Sequence, residues 1–335
     1  LGIAAHLSSI LRTSISEQLF KKVLSSIKPS GREQLGLKVV CLKCLTMHFI
    51  NKSELRLSTS FTKRLEATVS RYISKYGKPK NGIQLFARQI PSLSFSFDRD
   101  LRVCYQKLAK LHRRHGLRRK SLKHINKAIT LSKNPDDVNF HFDAVEMFLF
   151  KMDLLESLGD LKTACSVYSE LTAKIAPIIL ETPSADNFEI TLKQYARLLK
   201  LGKVSRSRSM KERGLALLEK ELDSGLDARP NRVDNNRVRP VKDRKSLVKL
   251  FRTLKPDVTD SLAIILCEWG YECLQKKLGL KNLQLAVYID DCLDLIENNT
   301  HKRGEPSWIR DTILAPKRIK RLKRISRKVK SHHGR

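Results

Sequence analysis

An all-α chain is what this sequence predicts, and three observations carry the prediction. Apolar residues recur at spacings of three and four through most of the length, the period of one helix face. Only 14 Gly and 11 Pro stand among 335 residues, too few for a many-turned β protein or a collagen-like one. Gly116, Gly159, Gly202 and Gly279 each separate two apolar stripes, the mark of paired helices with a tight turn between them.

Residues 1–76 read as an N-terminal helical region. The first sixteen, LGIAAHLSSILRTSIS, hold no acid, one Arg and several Ser. That composition suits the end of a mitochondrial transit segment, and the spacing of Ile3, Leu7, Ile10 and Leu11 suits an ordinary core-facing helix. Leu35, Val39, Leu42, Leu45 and Phe49 then form one apolar stripe, and Leu57, Phe61, Leu65, Val69 and Ile73 form another. Residues 77–100 are expected to be a loop or extended connector. Gly77, Pro79, Asn81 and Gly82 break the helical period, and Leu93, Phe95 and Phe97 alternate with Ser as a short strand or apolar strap would.

Residues 101–223 carry a repeat signal. An apolar helix runs to Gly116, and a second follows at once to about Lys133, before Pro135. The pattern returns over 145–177, with the turn at Gly159 and a stop at Pro177. The first copy places Tyr105, Leu108, Ala109, Gly116, Ser121, Ile125 and Ala128, and the second places Phe148, Gly159, Ala164 and Tyr168, in an order and spacing that resemble the tetratricopeptide repeat, a helix–turn–helix unit of about 34 residues. Lys151 and Met152 depart from that pattern, and the two glycines stand 43 residues apart, so the array is irregular. Residues 187–223 and 261–297 read as degenerate units of the same kind. The resemblance implies an irregular α-solenoid, whose usual role is to present an extended binding surface.

Residues 224–247 contain two Pro and three Asn with few apolar residues, and are expected to be an exposed basic loop or linker. A C-terminal helical repeat is expected over 248–299, and a basic C-terminal tail or helix over 300–335. No apolar stretch is long enough to cross a membrane, since the best candidate, Ser261 to Leu274, is short and interrupted by Glu268.

Charge is the feature that speaks to partners. The chain has 66 Lys+Arg against 34 Asp+Glu, a formal +32, and a surplus of that size calls for a polyanion such as RNA, DNA or an anionic membrane. Residues 101–127 hold ten Lys/Arg and no acid. There Lys120, Lys123 and Lys127 recur on one helix face, beside Arg113, Arg114, Arg118 and Arg119, and a stripe without interleaved acids has no local partner. Residues 317–330, KRIKRLKRISRKVK, add Lys317, Arg318, Lys320, Arg321, Lys323, Arg324, Arg327, Lys328 and Lys330 around a narrow apolar stripe of Ile319, Leu322, Ile325 and Val329. Such a helix suits a nucleic-acid groove, an anionic membrane or a nuclear import signal; the basic character of the rest of the chain favours nucleic acid. Acids also gather, at Asp136, Asp137, Asp143, Glu146, Asp153, Glu156 and Asp160, and at Asp290, Asp291, Asp294 and Glu297. Helix-terminus compensation and internal pairing account for them, and a docking face for a basic protein is the alternative.

Seven scattered Cys point to free thiols in a reducing compartment. Cys41, Cys44 and His48 lie along one helix, but structural zinc takes four ligands, so no metal or cofactor is expected. No nucleotide-binding, hydrolase or metalloprotease motif occurs, and no small-molecule substrate is expected. Aromatics are 6% of the chain and fall at helix-packing spacing, so any nucleic-acid contact should be led by the backbone and sensitive to salt. The expectation is a non-enzymatic helical-repeat scaffold subunit of a large ribonucleoprotein. It would contact structured RNA, foremost ribosomal, and neighbouring protein subunits, in the mitochondrial matrix or the nucleus or nucleolus. A subunit of a DNA-bound transcription factor complex and a pure protein-interaction adaptor are the alternatives.

Overall fold

The computed structural model describes residues 14–27, 31–79, 82–84, 94–132, 140–174, 180–181, 183–224, 243–254, 260–279, 282–298 and 315–333. Among them are thirteen helices and one two-residue antiparallel ladder, so the chain is all-α. No described helix is long and apolar enough to cross a membrane. The chain divides into two compact units, Leu1–Leu158 and Gly159–Arg335. The division falls at Gly159, inside the stretch 145–177 that reads as one repeat.

The first unit contains α1 (Ser14–Ser26), α2 (Arg32–Asn51), α3 (Leu55–Tyr76), β1 (Ile83–Gln84), β2 (Ser94–Phe95), α4 (Phe97–Arg114), α5 (Arg118–Leu131) and α6 (Phe140–Ser157). The stripe of α2 is buried as its spacing requires, with Val39, Leu42, Leu45 and Phe49 at 0% exposure. On α3, Phe61, Leu65 and Val69 are buried while Leu57 stays 36% exposed. Phe49 and Phe61 stack across the pair at 5.1 Å. The alternation around Phe95 becomes an apolar strap. Ile83 pairs with Phe95, both are buried, and Lys43 of α2 holds the strap by donating to the Ser94 carbonyl at 2.9 Å. Phe97 is already the first residue of α4, because Asp98 and Asp100 favour a helix start and Asp100 accepts from the Ser96 backbone N–H at 2.7 Å. Leu93 and the first thirteen residues lie outside the described residues.

The hairpin of α4 and α5 packs on the residues singled out by their spacing. Tyr105, Leu108, Ala109, Ser121, Ile125 and Ala128 are all buried. Ser121 Oγ donates to the Ala109 carbonyl at 2.7 Å, a contact that only small residues on both helices allow. The turn passes through Gly116 at φ 72°, and the Leu117 N–H reaches back to the His112 carbonyl at 2.9 Å. Gly159, Gly202 and Gly279 turn in the same left-handed region, where a Cβ would strain the backbone. The α2–α3 turn has the same bonding, Glu54 N–H to the Phe49 carbonyl at 3.0 Å, but places Ser53 at φ 60° where the others have glycine.

The second unit contains α7 (Leu161–Lys174), α8 (Ala185–Lys200), α9 (Val204–Ser224), α10 (Asp243–Leu254), α11 (Asp260–Leu278), α12 (Leu283–Asn298) and α13 (Ala315–His333). Its centre is α11, buried on every side over Ser261–Cys267: Leu262, Ala263, Ile264, Ile265 and Cys267 are fully buried, as is Leu274, with Trp269 at 1%. That stretch has no face for water and must be wrapped. Helices α8, α9, α10, α12 and α13 surround it. Two glycines let the helices close in. A Cβ on Gly214 of α9 would stand 2.2 Å from the Trp269 ring, and one on Gly270 of α11 would stand 2.0 Å from the Tyr288 hydroxyl.

One expected boundary moves. The linker expected over 224–247 ends earlier, because Asp243–Leu254 is helical and buries Leu247, Val248 and Phe251 in the core; residues 225–242 lie outside the described residues. Of the tail or helix expected over 300–335, residues 315–333 are the helix α13, which buries Leu322, Ser326 and Val329.

Two substitutions separate conformation from packing. Gly214→Ala, which in an open helix stabilises by roughly 0.5–1 kcal/mol, is expected here to destabilise by roughly 1–3 kcal/mol through overpacking against Trp269. Ser53→Gly relieves a left-handed strain of roughly 1–2 kcal/mol, less the entropy glycine adds to the unfolded chain, and is expected to raise stability. Denaturant midpoints at constant m-value read both signs.

Candidate nucleic-acid interface

Helix α13 is built in three bands, and its sequence sets them. At about 100° per residue, Ile319, Leu322, Ile325, Ser326 and Val329 share one side. That side packs on the core of the second unit. Lys323 and Lys330 fall at one border of that side, Arg318 lies on it at the start of the helix, and each meets an acid. Arg318 Nη1 bonds Glu268 Oε2 at 2.8 Å, Lys323 bonds Glu297 Oε1 at 2.6 Å, and Lys330 bonds Asp290 Oδ2 at 2.5 Å. Ser326 Oγ donates to the other oxygen of Asp290 at 2.8 Å, clamping the helix at its buried side. Glu268 stands between the buried Cys267 and Trp269 on α11, and burial pushes its pKa up, against the pull of Arg318 and Arg321. Its partner therefore has to come from another helix, and α13 brings it.

The third band is the outward face. Lys317, Lys320, Arg321, Arg324, Arg327 and Lys328 lie within about 120° of arc, all exposed. None makes an ion pair with a carboxylate among the described residues. Along the axis they span about 16 Å, a continuous cationic ridge with no acid between its members. Of the nine cations the sequence singled out here, six are thus presented outward and three are used in docking the helix.

The stripe on α5 is different from its sequence reading. Lys127 does not stand free beside Lys120 and Lys123. It bonds Glu66 Oε1 of α3 at 2.5 Å and sits 5.1 Å above the Tyr105 ring. The acid was not in the local sequence because it comes from 61 residues earlier. Arg113 lies over Phe150 at 5.2 Å and 3.8 Å from Asp153, and Arg118 donates to the Ser157 carbonyl at 2.7 Å. Lys110 pairs with Glu146, and Arg102, counted in the same basic run, is buried. What remains exposed and without a carboxylate partner among the described residues is Arg114, Arg119, Lys120 and Lys123.

The acidic groups resolve the same way. Glu146, Asp153, Asp290 and Glu297 pair with Lys or Arg as above, Asp291 accepts from Arg244 at 2.9 Å, and Asp160 caps α7 by accepting from the Thr163 N–H at 3.0 Å. Asp136 and Asp137, and the side chain of Asp143, lie outside the described residues. Cys41 is buried and its thiol pushed up to about 12, chiefly by desolvation. Cys44 is likewise raised, to about 11. His48 Nε2 is engaged by Glu17 at 3.2 Å. No group of three His, Cys, Asp or Glu among the described residues is placed to hold a metal ion.

Beneath the α5 cations sits a histidine pair. His112 and His124 are 4.8 Å apart, and His124 also stacks on Tyr105 at 5.9 Å. Desolvation, then His112, Lys127 and Lys123, hold His124 down at about 4, and desolvation also lowers His112.

No protein-family model matches the chain, and no curated protein matches it. Among solved structures it is similar to the crystal structure of BtubC (BKLC) from P. vanneervenii, at 14% identity over 88% of this chain and 96% of that one, with a TM-score of 0.39. A likeness at that score carries no argument about fold or activity.

The histidine pair predicts an acid sensitivity. Between pH 6.5 and about 4 the unfolded chain takes up a proton at His124 that the folded chain refuses. Stability on this account is complete above 6.5 and falls as the pH drops to about 4. Denaturant midpoints across that range are expected to fall with acidification, and His124→Gln is expected to flatten the fall.

Proposed function

We propose that this chain is a non-enzymatic, tetratricopeptide-like scaffold subunit of an RNA-containing assembly, with ribosomal RNA the foremost partner. The observation that carries the proposal is the six-cation ridge of α13. Its helix is anchored by apolar packing and three ion pairs, so the ridge is held rigid while none of its cations is taken up in an ion pair with a described carboxylate. A rigid row of cations without acids loses little entropy on meeting a row of phosphates, and each neutralised phosphate releases condensed counterions. Arg114, Arg119, Lys120 and Lys123 on the first unit form another, smaller contact element of the same kind.

No aromatic residue lies among the ridge cations, which supports backbone contact over base stacking. The mixture of Arg and Lys suits phosphate recognition by both fork and point charge. Exposed Leu117 and Leu158 in the first unit and Leu283 in the second supply apolar positions for protein neighbours.

The test is binding to a structured RNA as a function of salt. A log–log slope of about −4 to −5 is expected if the ridge neutralises its full complement of phosphates. Replacing Lys317, Lys320, Arg324 and Lys328 with Glu is expected to reduce the slope by about 3 and to weaken binding at least tenfold, with the thermal transition unchanged because all four are exposed. Unchanged affinity would remove the ridge as the site. Equal competition by duplex DNA would redirect the proposal to a DNA-bound complex, and no salt-dependent binding of either would leave a protein-interaction adaptor.

A further inference from the structure

The turn between α8 and α9 carries a feature the nucleic-acid reading does not absorb. Residues 203–211 read KVSRSRSMK, three serines alternating with two arginines and flanked by lysines. The fold treats the three serines unequally. Ser207 is buried, 3% exposed, and its Oγ donates to the Val204 carbonyl at 2.8 Å. Ser205 and Ser209 are exposed, and neither hydroxyl has a partner among the described residues. This follows from helical spacing, since 205 and 209 lie one turn apart on the outer side of α9 while 207 points back toward the unit.

The cations around them are equally uncommitted. Lys203, Arg206 and Arg208 are exposed and form no ion pair with a described carboxylate. Ser209 has Arg206 three residues before it and Arg208 immediately before it; Ser205 has Lys203 two before it and Arg206 immediately after. The segment starts α9, whose first turn has no acid. Val204 beside it is 65% exposed, an apolar handle at the same turn.

We propose that Ser205 and Ser209 are phosphoacceptor sites for an arginine-directed protein kinase, one with an acidic substrate cleft, and that Ser207 between them is not. In the transfer, the serine Oγ attacks the γ-phosphorus of ATP, the new O–P bond forms as the bond to the β-bridging oxygen breaks, ADP leaves, and the hydroxyl proton passes to the kinase base. Each phosphate adds about −1.5 to −2 charges at pH 7. At Ser205 it sits in the first turn of α9, where it faces unpaired amides and has Arg208 one turn on, so it holds the helix start closed. At Ser209 it lies one turn from Arg206 and between Arg208 and Lys211. Lys211 is already paired with Glu272 at 2.6 Å, so the uncommitted charge here is that of Lys203, Arg206 and Arg208; one phosphate removes about half of it or somewhat more, and two cancel it. The α8–α9 turn thereby becomes a switchable surface whose charge is set by modification.

The experiment uses the full chain, a purified arginine-directed kinase with Mg-ATP, and fragment mass spectrometry of the 203–211 region. Phosphate is expected on Ser205 and Ser209, with Ser207 at least tenfold lower. Arg206→Ala with Arg208→Ala is expected to cut incorporation into this region at least tenfold while leaving the fold intact, since both side chains are exposed. Amide exchange over the first turn of α9 is expected to slow two- to fivefold on phosphorylation of Ser205. Modification of Ser207 to the same level, incorporation indifferent to the two arginines, or an unmodified 203–211 region beside a fully phosphorylated control peptide would each overturn the assignment.

Discussion

The second unit depends on one constraint: the stretch Ser261–Cys267 of α11 is buried on every side of the helix, and each side must be covered by another helix. That requirement draws in α12 and α13 and leaves a buried carboxylate, Glu268, to be matched. Arg318 matches it, and this fixes the rotation of α13 about its own axis. Once the rotation is set, the positions of Lys323 and Lys330 opposite Glu297 and Asp290 follow, and so does the outward ridge. The distribution of charge on the surface is thus a consequence of what the core had to cover.

Ion pairing sorts the cations by availability. A formal surplus of +32 describes the whole chain, but the side chains that reach solvent unopposed are fewer and gathered. On α13 the sorting spares one continuous face. On α5 it breaks the stripe, because α3 and α6 contribute Glu66 and Asp153 next to Lys127 and Arg113. The exposed pairs add little to stability on their own, in the range of about 0–1 kcal/mol each. Their effect is on which charges are left over.

The turns illustrate how local and global requirements share the work. Gly116, Gly202 and Gly279 are needed for backbone reasons alone, since their surroundings are open and only the left-handed φ excludes other residues. Gly214 and Gly270 sit in ordinary helix and are needed for space, because an indole and a phenol press against them. A turn glycine is readable as a stop between two apolar stripes. A packing glycine reads as a flaw in a helix until Trp269 and Tyr288 are in place. Ser53, in the same backbone region as the turn glycines, leaves no sign in the sequence at all.

Taken by itself, the sequence determined the helices, their paired arrangement about Gly116, Gly202 and Gly279, the buried stripes of α2 and of the α4–α5 hairpin, and the amphipathic form of 317–330. Each of these is a matter of periodicity over a few turns, where the chain's own spacing decides which side chains share a face. Only the tertiary structure decided which cations are free. Glu66 lies 61 residues from Lys127, and Glu268 lies 50 from Arg318, so neither pairing has a local signature. The same holds for the start of α10 within the expected linker and for the docking of α13, both settled by the apolar surface that α11 and α12 offered. Periodicity says which face of a helix is buried; packing alone says against what, and so which charges remain for a partner.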